Sequence, residues 1–159
     1  MGTAVANLVV RTLIWLGGLA WWVYLRKPEG SGLLEMRRGF PGAVGVVIAV
    51  TGAALYVYAA VTIASEVSHA IGEAATLIER GPFRYVRNPL YVGAALVFFG
   101  VSTMYAPWGL RDRVAVIVVA VLVHLWVVRR EEPMLRGRFG AAYADYCARV
   151  PRWFPKWQA

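Results

Sequence analysis

The chain has 159 residues, of which 59% are apolar and 16% charged, and a formal net charge of +8. Soluble domains run at roughly 45–50% apolar and 25% charged, so the composition excludes an ordinary soluble domain and indicates a membrane protein. Nucleic acid is not the expected counterpart of the positive charge, because the basic residues sit at the ends of apolar segments rather than along one polar face; anionic lipid headgroups are.

Crossing a bilayer takes about 20 apolar residues at 1.5 Å each, and four stretches approach that length: residues 4–25, 41–64, 89–106 and 113–130. The expected fold is all-α, a polytopic bundle of four transmembrane helices plus a C-terminal interfacial amphipathic helix, forming one membrane domain over 1–159 with 131–159 as a cytoplasmic cap. The first stretch has no Lys or Arg before it, carries Arg11 and exceeds a typical signal h-region, so it reads as a span. With four spans both termini share a side. Arg80, Arg84, Arg87 and the basic residues from Arg129 onward outnumber Arg26, Lys27, Arg37, Arg38, Arg111 and Arg113 on the other side, which places both termini in the cytoplasm. The single cysteine, Cys147, excludes an intrachain disulfide and a cysteine-based metal cluster.

In chain order, the first span ends in an aromatic group, Trp21, Trp22 and Tyr24, as a membrane border does, with Trp15 further in. Arg11 is placed to snorkel to the interface. Residues 26–40 combine Pro, Gly and charge and read as a loop. The second span is rich in Gly, Ala and Val, with Gly42, Gly45 and Gly52, a signal for close helix packing in lipid. Helical spacing continues past it and puts Glu66, His69 and Glu73 on one face. That face is either a solvated helix end or a group able to carry protons or hold a cation; a metal site would need further ligands converging from elsewhere, and none is expected.

Asn88-Pro89 starts the third span. Asn suits the N-cap, and Pro at the first helical position has its φ preset and needs no donor. First-turn N–H groups beside Arg84 and Arg87 suit an anion; the same two arginines also suit a headgroup zone. Pro107-Trp108-Gly109 is a tight turn, so the third and fourth spans are expected to pair as an antiparallel hairpin that returns Arg129-Arg130-Glu131-Glu132 to the level of residues 84–93. His124 lies two turns before Glu131 on the same helix face, either packed against a neighbour or facing a cavity. Pro133 cannot continue the fourth span without losing a hydrogen bond and opens a new segment. In the tail, Tyr143, Tyr146, Cys147 and Val150 share one helical face, which gives an amphipathic helix able to cover the site.

Two segments together resemble the integral-membrane methyltransferases that include isoprenylcysteine carboxyl methyltransferases and phospholipid methyltransferases. One is Arg87-Asn88-Pro89-Leu90-Tyr91-Val92-Gly93, similar to the family's Arg-His-Pro-x-Tyr-x-Gly, with Asn88 where His is often found and Ala95 where some members have a second Gly. The other is Glu131-Glu132-x-x-Leu135, then Phe139-Gly140, Tyr143 and Tyr146, ending in Val150-Pro151-Arg152. The resemblance spans residues 80–155, with no matching motif in the N-terminal half. It implies S-adenosylmethionine as methyl donor and a lipophilic acceptor, carboxylate or amine, at the cytosolic membrane face. The residues implied for the donor are Arg87, Asn88, Pro89, Tyr91, Gly93, His124, Glu131, Glu132, Tyr143 and Tyr146. The start at Asn88-Pro89 with its arginines suits a carboxylate, Glu131 and Glu132 suit an ammonium or ribose hydroxyls, the tyrosines suit a ring and a sulfonium, and Gly93 suits close approach of the ligand. The catalytic set is Arg129, Arg130 and Glu132: either cation would position a carboxylate acceptor, whereas an amine acceptor needs a base, for which Glu132, Glu66 or a histidine are candidates. Residues 146–151 also resemble the ending of NADPH-dependent sterol reductases, and a non-enzymatic lipid-binding scaffold is the third reading.

Overall fold

A computed structural model describes residues 12–20, 40–69, 77–105 and 110–155, and all regular structure among them is helical. Residues 12–20 form α1. Helix α2 is Phe40–His69, a 3-10 turn covers Gly81–Arg84, α3 is Pro89–Tyr105 and α4 is Leu110–Trp126. A π-helical turn, Val127–Glu131, joins α4 to α5, Glu132–Arg149. Residues 4–11 and 21–25 of the first expected span, the loop 26–39, Glu73 and the turn 107–109 lie outside the described residues.

Helix α2 has 30 residues and is about 45 Å long at 1.5 Å per residue. Within it, Gly42–Glu66 is long and apolar enough to cross a membrane; Pro89–Met104 is apolar but shorter.

Among the described residues the most extensive helix packing is between α2 and α3, and glycine makes it possible. Gly45 and Gly52 on α2 are seven residues apart, as are Gly93 and Gly100 on α3, so each pair lies on one face. A Cβ on Gly52 would stand 2.7 Å from the Gly93 carbonyl oxygen, and one on Gly45 would stand 2.7 Å from that of Gly100. The helices therefore run antiparallel with their backbones in contact, a pairing that lipid-facing helices use where small residues align.

This corrects the expected hairpin. Helix α3 packs along α2, and among the described residues α3 and α4 do not pack along their lengths. The acidic pair nevertheless reaches the start of α3, because α5 and the residues after it fold back there. Helix α4 meanwhile exposes Val114, Ile117, Val118, Val121 and Leu122.

The join between α4 and α5 follows from Pro133. Having no N–H, Pro133 cannot give the regular bond to the preceding turn, and the chain widens into the π turn, where the Glu132 N–H reaches back to the Val127 carbonyl. Helix α5 breaks at Gly140, whose φ of +53° is a left-handed conformation that glycine adopts at little cost. Beyond the break, Tyr143, Tyr146 and Val150 are buried together, with Leu77, Leu135, Phe139 and Cys147 packed around them. The expected amphipathic face exists, and it covers the protein's own segment 77–87.

Candidate functional site

The site is built where the start of α3, the π turn and the residues after α5 meet. Pro89 is fully buried at the first position of α3, and the Asn88 carbonyl accepts the first intrahelical bond, from Val92 N–H. The Asn88 side chain turns the other way, its Nδ2 donating to the Arg152 carbonyl at 3.2 Å, while the Arg87 N–H donates to the Pro151 carbonyl at 2.9 Å. The helix start that the sequence offers to an anion is thus partly covered by two carbonyls of the chain's own tail.

Glu132 is the electrostatic centre. Its side chain is 7% exposed, and its Oε1 accepts from Arg87 Nη1 at 3.1 Å and from Arg152 Nε at 2.6 Å. Its Oε2 accepts from Arg152 Nη2 at 2.9 Å, which makes the Arg152 fork bidentate. Burial by itself pushes the Glu132 carboxyl up, but the Arg152 hydrogen bond and the charges of Arg87, Arg152 and Arg136 outweigh it and hold it below its ordinary value. A carboxylate held ionised by two guanidiniums is a weak proton acceptor. The Arg87 side chain is 10% exposed, touches Cys147 Sγ through the same Nη1, and leaves its buried Nε with no hydrogen-bond partner among the described residues.

Glu131, one residue earlier, faces an aromatic group instead. Tyr91 OH donates to its Oε1 at 2.7 Å and Trp126 Nε1 to the same oxygen at 3.3 Å. Tyr91 stands between two tryptophans, Trp15 of α1 and Trp153 of the tail, each edge-on with ring centroids 6.4 Å away. Trp153 also donates from Nε1 to His124 Nδ1 at 3.2 Å. An indole N–H can only donate, so the His124 nitrogen facing it carries a lone pair, and in the neutral ring the other nitrogen carries the proton. The row Trp15, Tyr91, Trp153 and His124 thus takes one ring from each of four chain segments.

The remaining expected residues are placed as follows. Gly93 is buried against α2, where a Cβ would stand 2.8 Å from Gly52 O and from Tyr56 N, so the close approach the structure shows is to a helix. Tyr143 and Tyr146, expected to suit a ring and a sulfonium, are 2% and 3% exposed and belong to the interior. Tyr146 OH donates to the Phe83 carbonyl at 2.7 Å, and burial first, then the neighbouring Tyr143, raises its pKa. Burial, then the charges of Cys147 and Glu132, pushes Tyr143 up to about 12. Arg129 and Arg130 are exposed on the π turn. Glu66 pairs with Arg80, and Glu79 with Arg149 at 2.6 Å, which ties the segment before α3 to α2 and α5.

Sequence reasoning gave no role to Arg152, Trp153, Trp126 or Trp15. Arg152 stood within the quoted Val150-Pro151-Arg152 ending, and a Pro followed by Arg-Trp just past a helix end was the available signal that the tail turns back.

Residues 42–142 match the sequence profile of the phospholipid methyltransferase family. The match takes in α2, where no family motif was expected, as well as the Arg87–Gly93 block and the acidic pair, and it stops one residue before Tyr143. No curated protein and no solved structure matches the chain. Because that match covers more than half of the sequence, the chain belongs to the phospholipid methyltransferase family, whose members are membrane-associated methyltransferases.

Proposed function

We propose that this protein transfers a methyl group from S-adenosylmethionine to a lipophilic acceptor at the cytosolic border of a four-span membrane domain. The observation that carries the reading is the meeting of the two motif segments, Tyr91 with Glu131 and Arg87 with Glu132. Near one another stand a buried guanidinium N–H without a partner, two carboxylates and a row of aromatic rings. A ligand with a carboxylate, an ammonium, a sulfonium and a flat ring calls for that set of groups. The donor, when bound, supplies a methyl group on a positively charged sulfur.

In this reading Glu131, backed by Tyr91 and Trp126, binds the cationic or hydroxylated part of the donor, and Arg87 binds the anionic part. The aromatic row keeps water from the reacting centre and orients both partners, from which much of the acceleration comes. Among the described side chains the candidate bases are engaged: Glu132 by two arginines, Glu66 by Arg80 and His124 by Trp153. The acceptor that needs least rearrangement is therefore one arriving deprotonated, a carboxylate or a free amine, with Arg129 and Arg130 available to position an anionic one.

The test is a methyl-transfer screen with labelled donor over a membrane lipid extract and prenylcysteine analogues, run alongside binding of S-adenosylhomocysteine and NADPH to the purified protein. Label in a lipophilic product, with affinity for S-adenosylhomocysteine and none for NADPH, is expected. Affinity for NADPH alone would move the protein to the reductase reading.

A further inference from the structure

We propose that the strap of residues 150–153 is a built part of the donor site and that Arg152 is its positioning residue, acting through Glu132. The inference rests on the methyl-donor reading above and goes beyond it by adding residues outside the matched family segment.

The strap leaves α5 at Val150, which is extended at φ −112° and ψ 124°, and crosses the start of α3. Its attachments differ in kind. Two are backbone carbonyls, of Pro151 and Arg152, that hold the strap over Arg87 and Asn88. One is the Arg152 fork on Glu132, and one is Trp153, which meets Tyr91 and His124. A loop end tied only for stability would need the carbonyls alone; the two side chains add contacts to the acidic pair and to the aromatic row.

Two arginines could set the orientation of Glu132, and the geometry favours Arg152. Arg87 offers one nitrogen, at 3.1 Å and shared with Cys147, and leaves its Nε unpaired. Arg152 offers two nitrogens, at 2.6 and 2.9 Å, one to each carboxylate oxygen, which fixes the plane of the carboxylate as well as its distance. Glu132 closes the π turn, and Glu131 is its chain neighbour. Anchoring Glu132 at the end of the π turn steadies the backbone from which Glu131 projects toward Tyr91 and Trp126.

The experiment uses the full chain in lipid nanodiscs and reads both S-adenosylhomocysteine affinity and unfolding temperature. Arg152→Gln is expected to weaken affinity about tenfold, the size of one charge-assisted contact. Arg152→Lys, which keeps the charge without the fork, is expected to recover only part of that loss. In a Glu132→Gln background Arg152→Gln is expected to add nothing further, because the route through Glu132 is already broken. Equal losses in both backgrounds, or full recovery by lysine, would overturn the proposal. If the wild-type protein does not bind S-adenosylhomocysteine, the donor reading fails separately. The strap is then judged by unfolding: non-additive shifts for Arg152→Gln and Glu132→Gln support the clasp, and additive shifts overturn it.

Discussion

The α2–α3 pair and the site at the start of α3 are adjoining parts of one helix, held in opposite ways. Along α3, Gly93 and Gly100 bring backbone against backbone, their nearest neighbours across the contact being backbone atoms of α2. At its start, contact with the rest of the protein adds to two tail carbonyls a set of long polar side chains, Arg87, Tyr91, Glu131, Glu132 and Arg152, which can be re-aimed without moving a helix. The difference assigns rigidity to the span and adjustability to the site: a helix locked by glycine offers a fixed floor, against which carboxylates and rings can close on a ligand.

The comparison can be broken first at its electrostatic end. Glu132→Ala leaves Arg87 and Arg152 without their shared anion, and breaking a buried pair costs about 3–5 kcal/mol; thermal unfolding in detergent should fall accordingly, and an unchanged midpoint would mean that the cluster is solvated. Second, Gly52→Val forces atoms into the α3 backbone and should destabilise by about 1–3 kcal/mol, whereas Gly137→Ala, where nothing lies within 4 Å, should cost nothing. Equal effects at the two glycines would refute the packed pair. Third, Tyr91→Phe removes only the hydroxyl on Glu131 and should lower donor affinity by about 1 kcal/mol, roughly fivefold, with the fold intact.

The smallest expected effects are those of pH. Glu132 has a folded value below its ordinary 4.5, so its contribution to stability is present above that pH and is lost as pH falls. Tyr143 has a folded value of about 12 against 10.0, so stability holds below pH 10 and declines as pH rises towards 12. Unfolding midpoints measured across both windows check the two signs; a flat alkaline limb would place Tyr143 in water.

Much of the site was legible in residues. Asn88-Pro89 marked the start of α3, Pro133 marked the change from α4 to α5, and Tyr143, Tyr146 and Val150 marked the buried face, because each follows from local backbone or side-chain periodicity. The partner of α3 was misread, since a short connection argues for neighbours in chain order, whereas packing was decided by the matched seven-residue spacing of Gly45 with Gly52 and Gly93 with Gly100. That spacing was visible, and aligning the two antiparallel would have found it. The contact of Trp153 with His124 was not legible, because it joins residues 29 apart through a turn whose direction no local signal sets.

The central claim is that the Arg87–Gly93 block and the acidic pair form one donor site. Calorimetric titration of S-adenosylhomocysteine into the purified chain in nanodiscs tests it most directly, comparing the wild-type protein with Glu131→Gln. The account predicts saturable binding by the wild type and at least about a tenfold loss in the variant, the size expected on neutralising a charged hydrogen-bonding partner. Equal affinity in the two proteins, or no binding by either, would contradict it.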